Sequence, residues 1–285
     1  MRVVVDGRTL TGRGVDLRDA TVPPGTVVEA VFADGPVDGV RVRSPPPGPL
    51  HDELAHVEPS PAVSLRGALA AAARSRGERA PEREALVEAR TALAAHEVPT
   101  VDLAAERRRT AEAGGREREL SERVASLRGR VQALRETGLD PSEAESELRE
   151  AIRALSEAET ERVAAEQRLA ALRVAAGEAR DARRRRLELQ DRVSNLERAA
   201  RRSLAERVYD EFRAAVDAVP GEGDAGAAPG EYEGDPATAA LAVVRVASTA
   251  APVVVSLDRF GDAAIAARRL DAPVVLARAP ADATR

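Results

Sequence analysis

Cysteine and lysine are both absent from this chain of 285 residues. Without cysteine the protein can form no disulfide, no thiolate metal site and no cysteine nucleophile. Without lysine it can form neither the Walker A loop of a P-loop nucleotide-binding protein nor a lysine Schiff base. All 43 basic residues are therefore arginine, against 48 acidic ones, and the formal net charge is −5.

Aromatic residues are almost as scarce, at 2% of the chain, although 44% of the residues are hydrophobic. Alanine, valine and leucine supply most of that apolar content, which suits narrow helix–helix seams better than a thick globular core. No apolar run reaches the length of a membrane span. The start, MRVVVDGRTL, also lacks the apolar core of a signal peptide, so we expect a cytoplasmic protein.

Residues 1–60 are expected to form a β-rich N-terminal segment. Val3–Val5, Thr26–Val28 and Val40–Arg43 are strand candidates, because β-branched residues are concentrated there beside turn residues. The proline-rich stretch 44–49 cannot form regular structure and predicts an extended connector. Residues 61–98 are expected to contain two short helices, at 64–77 and 81–97, where proline and glycine mark the ends.

Residues 99–219 carry the heptad spacing of a coiled coil. The first series of apolar residues is Leu120, Val124, Leu127, Val131 and Leu134. Residues 138–141 (GLDP) break the helix, with Asp140 as the cap of the next one. The second series is Leu148, Ile152, Leu155, Leu169, Leu172, Ala176, Val193, Leu196, Ala200, Leu204, Val208 and Phe212.

So short a turn makes the two helices antiparallel neighbours, and equal distance from the turn puts Val101 opposite roughly Gly177. The second helix continues well beyond that point. Either the helices within 64–97 or a second copy of the chain would cover this remainder. The first arrangement favours a monomer and the second a dimer.

Residues 220–236 are rich in glycine, proline and acidic side chains and predict a flexible linker. Residues 237–285 predict a helix and then a βαβ unit, whose strands are 252–257 and 273–276 with a helix over 261–270 between them. The fold class is therefore mainly α: a long antiparallel coiled-coil hairpin, with a small α/β head formed by the N- and C-terminal segments. We expect strands from the two chain ends to share one sheet.

Four consecutive arginines, Arg183, Arg184, Arg185 and Arg186, are the first candidate interaction site. Residues 178–208 contain ten arginines and six acidic residues, whereas residues 139–176 contain five and nine. Many of these charges have opposite partners three or four residues away, and no aromatic residue lies between Phe32 and Tyr209. This pattern favours a solvated helix face over a nucleic-acid grip. Leu139, at the tip of the hairpin, is the second candidate.

No catalytic, cofactor or metal site is predicted. Residues 51–56 (HDELAH) hold two histidines and two carboxylates, but the spacing does not put a metal-binding pair on one helix face, so an exposed loop or short turn is expected. Asp258 follows a strand of the βαβ unit, at the sheet edge where open α/β sheets bind ligands.

Two resemblances follow from these segments. The string EGDPATAALAVVRVASTAAPVVVSLDRF after a coiled coil resembles the C-terminal lobe of SMC and Rad50 ATPases, with residues 233–235 at the signature and Val253–Asp258 at the Walker B strand. Arg259 stands where the catalytic glutamate would be, so that resemblance implies a non-hydrolysing relative; a generic βαβ unit explains the string equally well. The whole layout, from the β-rich start through AAARSRG to APVVV and DAPVVL, resembles an uncharacterised family of haloarchaeal coiled-coil proteins.

The leading hypothesis is a non-enzymatic interaction or scaffold protein that binds a protein partner, or itself, through the coiled coil. The alternative is a nucleic-acid-binding or SMC-like accessory protein that uses the arginine-rich coil 180–204. A nucleotide-dependent enzyme is the third hypothesis, and it rests only on carboxylates such as Asp258.

Overall fold

The computed structural model describes residues 1–62 and 64–278, and this part of the chain is mainly helical with small sheets. The helices are α1 (Pro24–Phe32), α2 (His51–Leu54), α3 (Leu65–Ser75), α4 (Arg83–Ala95), α5 (Leu103–Glu136), α6 (Ser142–Arg207), α7 (Tyr209–Ala218), α8 (Pro236–Val246) and α9 (Ala263–Leu270). The strands are β1 (Arg2–Val5), β2 (Arg8–Thr11), β3 (Gly14–Asp16), β4 (Arg41–Arg43), β5 (His56–Val57), β6 (Gly223–Asp224), β7 (Glu233–Gly234), β8 (Val253–Val255) and β9 (Val274–Leu276).

The chain divides into two compact units. Unit 1 contains residues 1–88 and the chain from Val193 onward, so it is built from both chain ends. Unit 2 contains Ala89–Arg192 and consists almost entirely of helix.

A four-stranded parallel sheet lies at the centre of unit 1, in the order β3-β9-β8-β5. Strand β8, helix α9 and strand β9 form the predicted βαβ unit, and these two strands pair in parallel with Val254 opposite Val275. The outer strands come from the N-terminal segment: Val15 pairs with Val275, and Val57 pairs with Val255. The expected sheet shared by the two chain ends is therefore present. The predicted C-terminal segment 237–285 is described as far as Arg278, and residues 279–285 lie outside the described part.

Strand β1, the predicted strand at Val3–Val5, belongs instead to a separate antiparallel sheet of order β2-β1-β4. Val3 pairs with Leu10 on one side and with Val42 on the other. The buried face of this sheet packs with Val27 and Val31 of α1 into a cluster that also contains Val254 and Val275 of the parallel sheet. The opposite face of the parallel sheet is covered by α3, α7, α8 and α9 around Phe212.

The strand predicted at Thr26–Val28 is wrong, because these residues lie in α1. Pro24 occupies the first turn, where its fixed φ and missing N–H suit a helix. Val27, Ala30 and Val31 are the buried residues, and this spacing of three and four follows one helix face. The β-branched valines are accommodated because packing against a sheet outweighs their weak helix propensity.

The flexible linker predicted over 220–236 is an ordered loop. Strands β6 and β7 pair antiparallel within it, and Ala225 is buried. Tyr209 of α7 donates its hydroxyl to the carbonyl oxygens of Ala225 and Ala228. The two aromatic rings of Tyr232 and Phe212 also meet edge to face. The chain's only two tyrosines thus hold this loop in place. The composition of residues 220–236 gave no indication of these contacts.

The predicted helices at 64–77 and 81–97 correspond to α3 and α4. The middle of helix α3, residues 67–73, is buried, and most of its alanines pack in the same cluster as Leu204, Ala205 and Val208. Beside the start of α4, Ser203 donates a hydrogen bond to Glu82 at 2.8 Å, and Arg207 pairs with Glu78 at 2.8 Å. Within unit 1, the end of the long helix is therefore covered by this chain's own residues.

The predicted continuous helix up to residue 219 is interrupted at Val208, which has non-helical torsions (φ −110°, ψ 6°). Helix α7 then starts at Tyr209 and buries Tyr209, Phe212 and Val216. Among the described residues, no helix is long and apolar enough to cross a membrane.

Candidate functional site

The predicted break at residues 138–141 lies between α5 and α6. Gly138 has a positive φ of 71°, the left-handed conformation that glycine adopts without strain after a helix end. Asp140 accepts the backbone N–H of Ser142 and so caps α6, as predicted. Leu139, the predicted tip residue, is 60% exposed.

Within unit 2, ion pairs between α5 and α6 show the relative direction of the two helices and the register in which they pair. Arg135 pairs with Glu145 at 2.6 Å, Arg130 with Glu147 at 3.5 Å and Arg116 with Glu161 at 3.3 Å. Because one residue number falls as the other rises, the two helices run antiparallel. The register agrees with the prediction made from equal distances to the turn.

The contact between the two helices is narrow, because α6 presents an alanine at every seventh residue. Ala144, Ala151, Ala158 and Ala165 are between 1% and 6% exposed. Across from them, α5 buries Val124, Leu127 and Val131, three members of the predicted heptad series. Small residues let two helix backbones approach closely, so little apolar surface is needed to fill the seam.

The prediction that Ile152 lies in the seam is wrong: Ile152 is 41% exposed, whereas its neighbour Ala151 is buried, with 5% exposure. Both residues fit a 3–4 spacing between Leu148 and Leu155, so the pattern could not separate them. We attribute the choice to the close approach of α5, which leaves room for alanine and not for isoleucine.

Farther from the turn, the seam becomes polar. Glu106 is 5% exposed and pairs with Arg109 at 3.2 Å, while its second carboxylate oxygen has no hydrogen-bond partner among the described residues. Arg162 lies in the seam between Glu117 at 2.5 Å and Glu166 at 2.6 Å. Polar groups at seam positions specify register at a cost in stability.

Arg183, Arg184, Arg185 and Arg186 are all exposed and, being consecutive, surround most of the circumference of α6. Arg184 pairs with Asp181, and Arg186 donates to the carbonyl oxygen of His96 at 3.3 Å. Arg183 and Arg185 have no partner among the described residues. At about 1.5 Å per residue, the run lies roughly 60 Å along α6 from the turn, so the two predicted sites are not brought together.

A cleft close to the turn was not predicted. It has a volume of about 480 Å³ and is lined by Arg128, Val131, Gln132, Arg135, Glu145, Leu148 and Arg149; we call it the tip cleft. Arg128 and Arg135 are seven residues apart and therefore share one face of α5. That spacing is the signal from which the sequence could have indicated a basic patch.

Unit 1 holds a second cleft, of about 390 Å³, at the carboxyl ends of β3, β8 and β9. Asp258, the predicted candidate at this edge, is fully exposed there together with Arg278. Arg18 is already engaged: it binds Asp16 at 2.6 Å and donates to the carbonyl oxygens of Phe260 and Gly261. The hydrogen bond from Arg18 keeps the pKa of Asp16 below its ordinary value. Arg278 in turn donates its Nε to the carbonyl oxygen of Arg18 at 3.1 Å, so the cleft has balanced charges and both of its arginines are engaged within the chain.

The two histidines of residues 51–56 take separate places. Residues 51–54 form the single turn of α2, in agreement with the expected short turn, but the expected exposure is wrong for His51, which is 3% exposed and whose ring bonds to the carbonyl oxygen of Pro252 at 3.2 Å. His56 contacts the hydroxyl of Ser256 at 2.7 Å. Across residues 1–62 and 64–278 no group of three or more His, Asp or Glu side chains is placed to hold a metal ion.

The Ser256–His56 pair could not be found from the sequence, because its members are 200 residues apart. A serine bonded to a histidine is the arrangement that nucleophilic enzymes use. Burial lowers the pKa of His56, against the opposing effect of Glu58. Ser256, however, is 0% exposed, so in this conformation a substrate cannot reach its hydroxyl.

Two residues from the segment that resembles an SMC ATPase are bonded to each other: Asp235, at the signature position, and Arg259, just after the Walker B position. Arg259 pairs with Asp235 at 2.6 Å and donates to Thr238 at 3.0 Å. Asp235 also caps α8 through the N–H groups of Ala237 and Thr238. Burial raises the pKa of Asp235, but the bonds from Arg259 and Thr238 outweigh it and leave this pKa lowered. These residues thus fix the ordered loop to the helix that follows it.

The chain belongs to a family of unknown function, DUF7856, whose model matches residues 12–274. The expected membership of an uncharacterised family is confirmed; the match carries no information on a haloarchaeal host or on SMC ATPases. No curated protein and no solved structure matches the chain significantly.

Proposed function

We propose that this protein is a non-enzymatic interaction or scaffold protein, and that its working surface is an antiparallel coiled-coil hairpin formed by α5 and α6. The observation that carries the proposal is a row of exposed aliphatic side chains on α6. Ile152 is 41% exposed, Val163 43% and Val174 65%.

The spacing of this row aligns its members on one side of the helix. Eleven residues are three helical turns plus about 20°, so Ile152, Val163 and Val174 drift only slightly around α6. A single exposed aliphatic residue is ordinary on a protein surface. Three in line form a ridge into which the side chains of a partner helix can pack.

The narrowness of the seam supports the same proposal. Alanines such as Ala151 and Ala158 face α5, and the larger Ile152 faces outward. Because the seam leaves room only for alanine, the larger aliphatic side chains remain available on the outer face of α6. The outward placement of the larger aliphatic side chains therefore fits a surface that meets another helix.

Site-specific photo-crosslinking in the producing cells tests the proposal. A photoreactive amino acid at Val163 of the full-length chain is expected to give a discrete protein adduct. The same amino acid at Arg168, about 140° around α6, is the matched control and is expected to give none. Absence of an adduct at Ile152, Val163 and Val174 alike would refute the proposed surface.

Nucleic-acid binding by residues 180–204 is the second candidate, because Arg183 and Arg185 are exposed and unpaired among the described residues. We rank it lower, since Arg184 and Arg186 already have partners within the chain. Fluorescence anisotropy with duplex DNA across a salt series separates the two functions. We expect no binding even at low salt; tight binding with a steep salt dependence, lost when all four arginines become glutamine, would favour the second function.

A further inference from the structure

The tip cleft combines an apolar floor with a basic rim. Val131, at 6% exposure, and the partly buried Leu148 come from α5 and α6 respectively and form the floor. Three arginines and one glutamate surround them. A concave site with apolar walls and a few charged groups is the usual form of a specific binding site.

The charges of the rim are only partly used within the chain. Glu145 pairs with Arg135 at 2.6 Å, which neutralises that arginine. Arg149 donates its Nε to the backbone oxygen of Glu145, so both terminal nitrogens of its guanidinium remain available. Arg128 has no partner among the described residues. The cleft therefore presents two guanidinium groups to a ligand.

Several of the acidic charges beside the cleft are paired within the chain. Residues 139–176 contain nine acidic residues and five arginines, and four of the acids pair with arginines: Glu145, Glu147, Glu161 and Glu166. Arg128 and Arg149, by contrast, line the cleft without a carboxylate partner among the described residues, so a partner with carboxylates is favoured there. Charge complementarity of this kind fixes the position of binding more than its strength.

We propose that the tip cleft binds an acidic amphipathic segment of a protein partner. Two of its carboxylates bind Arg128 and Arg149 as charge-assisted hydrogen bonds, and one aliphatic side chain packs on Val131 and Leu148. A nucleic acid fits less well, since no aromatic side chain lines the cleft to stack on a base. The inference rests on the proposed interaction function and names the chemistry of the partner.

Binding of a probe peptide to the full-length protein tests this inference. The probe is a fluorescein-labelled helical peptide with leucine on one face and glutamate on the other; a second peptide carries glutamine in place of glutamate. The double variant Arg128→Glu with Arg149→Glu is expected to bind the acidic probe at least about tenfold more weakly than the unchanged chain, because it loses two charge-assisted hydrogen bonds and places two carboxylates against the probe.

The matched control is Arg123→Glu with Arg153→Glu, which makes the same charge change on the same two helices outside the cleft. It is expected to bind within about twofold of the unchanged chain. Circular dichroism establishes that both double variants remain helical. An equal loss in both variants would overturn the proposal, because general surface charge would then account for binding.

Two further outcomes would also overturn it. One is equal binding of the glutamine peptide and the acidic peptide. The other is binding of a single-stranded oligothymidylate, lost in the Arg128/Arg149 variant, without binding of the acidic peptide. The crosslink at Val163 is read out independently, so failure at the tip cleft alone leaves the interaction function standing, and loss of that crosslink alone leaves the cleft as a peptide site.

Discussion

Replacing Gly14 by alanine should destabilise unit 1, because the backbone of α9 passes directly over β3. A Cβ atom at residue 14 would lie 2.0 Å from the carbonyl oxygen of Ala263 and 2.4 Å from its carbonyl carbon. Both neighbours are backbone atoms in the first turn of α9, so no side chain can rotate away. Either α9 or β3 must move, and β3 is held by Val275 through its pairing with Val15.

The magnitude follows from the type of clash. Overpacking a buried site costs about 1–3 kcal/mol when side chains can adjust. Here backbone must shift, so we expect the free energy of unfolding to fall by about 3 kcal/mol, somewhat offset by the lower chain entropy of alanine. Gly25→Ala is the control: nothing lies within 4 Å of its added Cβ, and alanine in α1 should be neutral or stabilising by up to about 1 kcal/mol.

Urea unfolding followed by tyrosine fluorescence measures this effect in the correct unit. The chain has no tryptophan, and both of its tyrosines, Tyr209 and Tyr232, belong to unit 1. Their signal therefore reports unit 1, whereas circular dichroism also records the long helices of unit 2. A Gly14→Ala variant within about 0.5 kcal/mol of the unchanged chain would refute the close approach of α9 to β3.

Three other changes test separate parts of the structure. Burial lowers the pKa of both His51 and His56, so the unfolded chain takes up protons at a higher pH than the folded chain does. The full stability of unit 1 should therefore be present above about pH 6.5 and should fall as the pH drops below that value through the folded pKa values. An unchanged urea midpoint between pH 7.5 and pH 5 would contradict this prediction. Arg259→Gln should cost unit 1 about 1–2 kcal/mol by leaving Asp235 without its cation, whereas Arg268→Gln, an exposed control on α9, should change the tyrosine-detected midpoint little. Ala158→Leu should overfill the helix seam and lower the thermal stability of unit 2 by about 1–3 kcal/mol in circular dichroism; the same change at the exposed Ala170 should be nearly neutral, and equal effects would argue against a narrow seam.

The parts of the fold that could be predicted are those with a local signal. The turn at residues 138–141 combines glycine, a capping aspartate and proline, and each of these acts on its immediate neighbours. The βαβ unit is likewise contiguous, with two valine-rich runs on either side of a helix. In both cases the residues that determine the structure are close in sequence.

The errors arise where tertiary contacts decide between two local possibilities. Thr26–Val28 has a strand composition, yet the sheet beside it requires the spacing of Val27 and Val31 on a helix. Residues 220–236 have a linker composition, yet Tyr209 and Tyr232 hold the loop in place. Neither partner can be identified from the segment itself.

The candidate sites show the same limit. The exposure of Leu139 could be expected from its place in a tight turn. The Ser256–His56 contact and the tip cleft instead join residues of different elements. That Arg128 and Arg149 line one cleft can be inferred only when the register of the two helices is known. The acidic residues on the same surface also affect what the cleft can bind.

The composition of the seam connects the stability of unit 2 with its proposed function. Alanines and the polar residues Glu106 and Arg162 bury little apolar surface, so the paired helices gain little free energy from their own contact. Anything that binds folded unit 2 adds to its stability by mass action, by about 2.7 kcal/mol at a hundredfold excess over the dissociation constant. Helices with so small an apolar contact gain relatively more from a bound partner than helices that bury a thick core. Because the seam is narrow, binding of a partner should be measurable as an increase in the free energy of unfolding of unit 2.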